Sequence, residues 1–225
     1  MEISPVTLEG RHVRLEPLSM VHEKPLAAAA SDGELWNSTV TNVPSRTTMA
    51  AYIETALRGQ VQGRELPFVI IRKTSSEAVD KTAGGVISRD ALARASARAP
   101  DTDAMSDQAE VVGTTRFYDI EPNDRRVAIG YTWLSAGAQR TAVNTESKLL
   151  LLTHAFEYWR CNRVEFITDV LNQQSRAAIL RLGAREEGIL RNHMIMPNGR
   201  IRDSVCFSII VEEWPEVKAW LANDA

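Results

Sequence analysis

Cysteine is scarce in this sequence of 225 residues: only Cys161 and Cys206 occur, with neither metal-ligand nor redox spacing. One pair is too few for a disulfide scaffold, so both read as free core thiols in a reducing compartment. No stretch approaches the roughly twenty apolar residues of a membrane span, and the opening residues MEISPVTLEGRHVRLEPL hold no apolar signal core. A soluble, cytoplasmic protein with no membrane partner is the expectation. Positive charge is not in excess either. The formal net charge is -3, and Arg176, Arg181, Arg185 and Arg191 fall on separate expected elements, which argues against a nucleic-acid partner. There is no G-x-x-x-x-G-K-S/T loop and no cluster of His, Cys, Asp or Glu at ligand spacing, so neither NTPase chemistry nor a metal site is expected. No internal repeat or interdomain linker is visible, and residues 1–225 read as a single domain large enough to bury a sizeable core.

What the sequence does have is concentrated between Val127 and Trp159. Val127, Ile129, Tyr131 and Trp133 recur at period two and predict a strand with these four on one face, while Ala128, Gly130 and Thr132 leave the other face thin. From about Asn144 the spacing becomes helical, with Leu149, Leu152, Phe156 and Trp159 on an apolar stripe. Asn144 or Thr145 is the expected N-cap, and Glu146 suits the positive end of the helix dipole. The preceding Gln139-Arg140-Thr141-Ala142-Val143 would present free backbone N–H groups at the helix mouth, a place that can hold a phosphate.

The remaining elements follow the same periodicities. Short strands are predicted at His12–Leu15, Pro67–Ile71 and Val111–Tyr118, and helices at Met20–Ala30 and Thr47–Gln60. Trp36 sits in the loop between those helices. Lys73 to Glu110 is rich in Ala, Ser, Arg and Asp without a sustained period and reads as an insertion over 73–110, a mobile surface loop in preference to the alternative of a brief strand at Gly84–Ser88. Arg163–Asp169 alternates cleanly, Asn172–Leu182 reads as a helix stopped by Gly183, and Pro197-Asn198-Gly199-Arg200 is a hairpin turn between strands Glu187–Met196 and Asp203–Val211. A short helix closes the chain from Glu212. The strand after the crossover helix should lie parallel to its predecessor and the others antiparallel. The fold class is therefore α/β (α+β): a mixed, mostly antiparallel twisted sheet with helices on both faces.

Several of these residues, taken in series, resemble the GNAT superfamily of N-acetyltransferases, in the branch of the ribosomal-protein N-terminal acetyltransferases. They are the strand-loop-helix with Gln139 at the first position of the family's Q/R-x-x-G-x-G/A loop, Asn172-x-x-Ser175, Leu182-Gly183-Ala184, Glu187-Gly188, and Gly199 with Asp203. Ala142 and Asn144 depart from that loop's small residues. The resemblance implies an acyl-CoA N-acyltransferase using acetyl-CoA as co-substrate. Its pantetheine arm would pair with the strand of Ile129, Tyr131, Trp133 and Leu134, and its pyrophosphate would sit on Gln139, Arg140, Thr141, Ala142, Val143, Asn144 and Thr145. It leaves a homodimer open.

Amine acetylation needs a neutral amine, a donor for the developing oxyanion and a proton for the leaving thiolate. The resemblance assigns the thiolate's proton to Ser175, with Asn172 orienting the cofactor arm, although Asn172 can equally be the cap of its helix. His193 is the candidate base, since an imidazole accepts a proton near pH 7; Asp203 and Glu187 are acidic alternatives. Trp36, Arg191 and His193 would wall an acceptor that is either a small-molecule or a peptide amine. The rival reading is a non-catalytic acyl-CoA sensor or interaction module on the same fold.

Overall fold

Eight strands form among the described residues, β1 (Leu8–Glu9), β2 (Val13–Pro17), β3 (Leu66–Lys73), β4 (Ala109–Glu121), β5 (Arg126–Leu134), β6 (Arg163–Asp169), β7 (Arg185–Ile195) and β8 (Ile201–Ile210), with alternating burial in β2 and β6 and a continuous buried run in β3. They join in one sheet in the order β1-β2-β3-β4-β5-β6-β8-β7. The computed structural model describes residues 1–73 and 109–224; the expected insertion and the alternative strand at Gly84–Ser88 lie outside them, apart from the strand ends at Lys73, Ala109 and Glu110. All neighbours are antiparallel except β5 and β6, which are parallel because a helix crosses between them.

Five helices, α1 (Glu23–Ser31), α2 (Met49–Val61), α3 (Ala142–Thr153), α4 (Gln173–Arg181) and α5 (Trp214–Asp224), divide between the two faces. On one face Leu151 and Leu152 of α3, Ile179 of α4 and Val217 and Leu221 of α5 pack with Val13, Phe68, Val127, Val164 and Phe207. On the other, Leu26 and Ala30 of α1 and Met49 and Ile53 of α2 meet Val69, Ile71, Val111 and Trp133. Each fully buried Val, Leu, Ile, Met or Phe among them contributes about 1.5–3 kcal/mol of burial free energy. Because α1 packs chiefly on β4 and α2 on β3, the far half of that second face stays open, and every residue of β7 is exposed.

Four details correct the sequence reading. The long helix starts at Ala142 with Thr141 as its cap, whose Oγ1 accepts from Val143 N at 3.3 Å, so neither Asn144 nor Thr145 caps it. Thr141 wins because its extended backbone lets the hydroxyl reach the second helical N–H. Glu146 does not face the helix dipole: it is buried and accepts the N–H groups of Arg11, His12 and Val13 at 2.6, 2.7 and 2.8 Å. Gly10 makes room for it, since a Cβ there would lie 2.6 Å from Glu146 Cδ. Cys161 is buried as expected, whereas Cys206 is only half-buried, on the open face. Finally, α3 gives way at His154–Tyr158 to one π-helical turn rather than continuing to Trp159.

Candidate active site

The strand β5 parts from β6 almost at once. Register holds for Arg126, Val127 and Ala128 against Arg163, Val164 and Glu165, whereas β4 stays beside β5 up to Leu134. Among the described residues, the edge of β5 from Ile129 to Leu134 therefore has no strand on its β6 side, and its outward N–H and C=O groups can pair with an extended ligand.

A bulge lies in the same segment. Gly130 pairs with Arg116 and Trp133 with Thr114, so Tyr131 and Thr132 together oppose Thr115. Tyr131 takes a left-handed backbone, φ 51, which a side chain adopts only when neighbours over-determine it. The bulge moves Trp133 to the α1/α2 face while Val127 and Ile129 stay on the α3 face, so the four residues do not share one face as the period had suggested. Ile129, Trp133 and Leu134 are buried, leaving only their backbone to meet a ligand; Tyr131 is 51% exposed.

Polar side chains brace both sides of the bulge. Toward α3, Lys148 is buried and donates from Nζ to Thr132 Oγ1 at 2.6 Å and Thr115 Oγ1 at 3.4 Å, and those two hydroxyls lie 2.8 Å apart. Burial lowers the Lys148 pKa to about 7. Toward α2, the Arg116 guanidinium sits 4.0 Å from the Tyr131 ring centroid and 5.0 Å from that of Tyr52, with Nη1 2.6 Å from Glu65. The ring of Tyr118 meets Tyr131 edge-on at 5.2 Å, and burial raises the pKa of both phenols.

After β5 the chain turns through Ala136–Ala138 into the mouth of α3. Asp32, just past α1, accepts Gly137 N at 2.7 Å, and Gln139 Nε2 donates to Leu134 O at 3.0 Å. Gln139 is thus a brace, its Oε1 also accepting from Gln174 at 3.3 Å. Arg140 is exposed in a left-handed conformation, φ 59. Ala142 and Asn144, which stand where the resembled loop has small residues, have no positive φ, so the backbone here needs no glycine. The first N–H groups of α3 have no carbonyl one turn back.

Three other segments converge on this opening. Asn172 caps α4, accepting Ser175 N at 3.0 Å, while its Nδ2 donates to Thr41 Oγ1 at 3.0 Å, so both ends of its amide are engaged within the protein. Arg200 donates to Thr39 O at 3.1 Å and pairs with the buried carboxylate of Asp169. The loop after α1 consequently touches the start of α4 and the β7–β8 turn. Trp36 with Thr39, Thr41, Met196 and Asn198 lines a cleft of ≈ 250 Å³ between them. A wider cleft of ≈ 730 Å³ is lined by Ile189, Arg191, Asn192, His193 and Asp203.

The strand expected around Arg191 and His193 is also irregular. Leu190 pairs with Ser204 and Met194 with Arg202, so Arg191, Asn192 and His193 bulge opposite Asp203, whose Oδ1 accepts Asn192 N at 2.7 Å. This re-aims His193, placing Nδ1 3.0 Å from Ser204 Oγ. Asp203 and Glu187 hold structural hydrogen bonds, Glu187 with Arg163 and with Ser208 at 2.8 Å. The sequence reading missed Lys148, Thr41, Asp32 and Arg202. Only Lys148 carried a local signal, a lysine three, four and seven residues before Leu151, Leu152 and Ala155 on a fully buried stripe.

Among the described residues there is no group of three or more His, Cys, Asp or Glu able to hold a metal ion and no helix long and apolar enough to cross a membrane. YdaF of Bacillus subtilis, provisionally named a ribosomal N-acetyltransferase, is 32% identical over 102 residues, 45% of this chain and 55% of its own. The chain spans about half the length of the curated relatives it matches. A T. thermophilus protein provisionally described as an acetyltransferase superposes with TM-score 0.74 at 30% identity, covering 100% of this chain and 99% of its own. RimJ of Mycobacterium smegmatis, solved with CoA-disulfide, shares the fold at TM-score 0.68 and 20% identity, over 98% of this chain and 95% of its own. A model of the acetyltransferase (GNAT) domain matches residues 12–185, and with well over half of its length so matched, the chain belongs to the GNAT acetyltransferase family.

Proposed function

We propose that the protein moves the acetyl group of acetyl-CoA to a primary amine, with direct attack in a ternary complex. The observation that carries this reading is the free edge of β5 from Ile129 to Leu134, ending at the mouth of α3. A pantetheine arm has amides that pair with such an edge, and a pyrophosphate suits the N–H groups at the helix start. A backbone N–H of the bulged strand takes the thioester oxygen as charge develops on it. The amine nitrogen forms its bond to the acyl carbon as the carbon–sulfur bond breaks. Ser175 supplies a proton to the departing sulfur, with Asn172 fixing the backbone beneath it. His193 takes the proton released by the amine, directly or through one water. The provisional name of YdaF favours a protein N-terminus as acceptor.

Ala142→Pro tests the cofactor half. Ala142 is the first helical residue and Thr141 before it is extended, φ -117 and ψ 175, a setting that accepts proline and loses only one N–H. Calorimetric titration with acetyl-CoA should then show affinity weakened about tenfold or more, with the melting temperature unchanged. Equal affinity would remove the helix mouth from the site, and absence of heat with the parent protein would sink the reading itself. Thiol release with N-terminal peptides tests the acceptor half: His193→Gln should slow turnover by about 10²–10⁴ and flatten the acid limb of its pH profile, and an unaltered profile would end the base assignment.

A further inference from the structure

Two cationic side chains of the acceptor flank have no counter-ion among the described residues, the exposed Arg191 and the half-buried Arg202, and only Arg202 is held in place by a hydrogen bond. It lies on β8, paired with Met194 at the end of the His193 bulge, on the open face, because Val205, Phe207 and Ile209 at odd positions turn into the core. Nε donates to Ser204 Oγ at 2.8 Å, and Ser204 is the hydroxyl that His193 Nδ1 approaches at 3.0 Å. Nη1 and Nη2 have no hydrogen-bond acceptor, and no carboxylate comes within 4.0 Å of the guanidinium, among the described residues. Its neighbour differs. Arg200 holds Asp169, the carboxylate whose charge acts on Arg202, so that carboxylate is already engaged. Half-buried as it is, the Arg202 charge is disfavoured by burial first and by Arg200 as well, with Asp169 and Tyr118 opposing, so its pKa is lowered. A planar guanidinium held by Nε at a strand end, with both terminal nitrogens free, presents the two-pronged donor that a carboxylate fits.

On the acetyl-transfer reading above, we propose that Arg202 binds a carboxylate of the acceptor, placed so that the amine of the same molecule reaches His193. The acceptor is therefore an amine bearing a carboxylate a few bonds away. Two sources share this chemistry: a peptide N-terminus with Asp or Glu among its first two residues, and a free amino acid. Ser204 couples the two recognition elements, since a single hydroxyl positions both Arg202 Nε and the His193 ring.

The test compares C-terminally amidated peptides with Asp or Glu at the first or second position against their Asn or Gln counterparts, and free amino acids against their amides, by thiol release from acetyl-CoA. The parent protein should favour the carboxylate member through KM, on the order of ten- to a hundredfold. Arg202→Gln should bring that ratio close to one and Arg202→Lys should restore part of it, which a merely structural role would not do. Preference in the peptide arm identifies a protein acceptor, and preference in the amino-acid arm a small one. A second readout is independent of turnover: calorimetric titration with an N-acetylated Asp peptide and its Asn counterpart. Tighter binding of the Asp peptide that Arg202→Gln abolishes sustains the carboxylate site even if acetyl transfer fails. Equal binding of the two, or a preference that survives Arg202→Gln, overturns it.

Discussion

The flank formed by β5 and α3 and the flank formed by β7 and β8 handle polar groups in opposite ways. Around β5, Lys148 is tied to Thr115 and Thr132, and Arg116 to Glu65, all buried or half-buried, and the Arg116 guanidinium lies against the ring of the left-handed Tyr131. Around β7, no residue of the strand is buried, and Arg191, His193 and Arg202 have few or no protein partners. The first arrangement is preorganised, as the proposed acetyl-transfer reading would require of the half that meets a donor of one structure. The second leaves polar groups free to meet a ligand. On the acetyl-transfer reading proposed above, rigidity would fall to the half that holds the invariant donor, and exposure to the half that meets the acceptor.

Breaking the rigid half should be costly. Glu146 anchors α3 to the start of the sheet through three N–H groups, and Glu146→Ala leaves all three inside the protein without an acceptor. Urea unfolding should record a loss of about 4 kcal/mol, and a loss under about 1 kcal/mol would show that water or a shifted turn replaces the carboxylate.

Lys148 gives the next largest effect, and its sign runs against habit. The unfolded chain carries this amine near 10.5 and the folded chain near 7, so between these values folding expels a proton. Stability contributed by the neutral amine is complete above the unfolded value and is lost as pH falls toward 7. The parent should therefore gain about 2–3 kcal/mol between pH 7 and pH 9 relative to Lys148→Met, which has nothing to titrate there. Parallel stability curves for the two proteins across that window would mean that the amine is charged or hydrated in the fold.

The same contrast explains what was legible in the sequence. Arg163–Asp169 could be read to the residue, the parallel crossover followed from the helix between two strands, and Gly183 fell at the left-handed stop, φ 89. These are consequences of local period and backbone chemistry. The bulge at Tyr131 was not legible, because a tyrosine gives no hint of a left-handed backbone that neighbouring strands impose. Nor was the Arg191–His193 bulge, which depends on Asp203 eleven residues away accepting Asn192 N. Near the candidate site, the capping of α4 by Asn172 could be read from the chain, while the role of Ser175 rests on the resemblance and the engagement of Asn172 by Thr41, 131 residues distant in the chain, belongs to tertiary structure alone.

The smallest expected effect tests the open half. Ile195 ends β7 with 78% of its surface exposed, beside Ile201 at 58%, and touches no buried cluster. Ile195→Thr keeps a β-branched side chain suited to a strand and removes apolar surface that is already in water. Its stability should lie within about 0.5 kcal/mol of the parent, as for substitutions away from caps, cores and ion pairs. The measurement to make is the melting temperature at two protein concentrations well apart. If β7 is free in solution, parent and variant melt together at both. If a second copy of the chain covers this edge, the parent's melting temperature rises with concentration and the threonine variant's does so less, because association stabilises by mass action and the lost ethyl group lay in the contact. That result would transfer β7 from the open half of the comparison to the rigid one, and the clefts beside His193 would then have to be redrawn with the second copy as one wall.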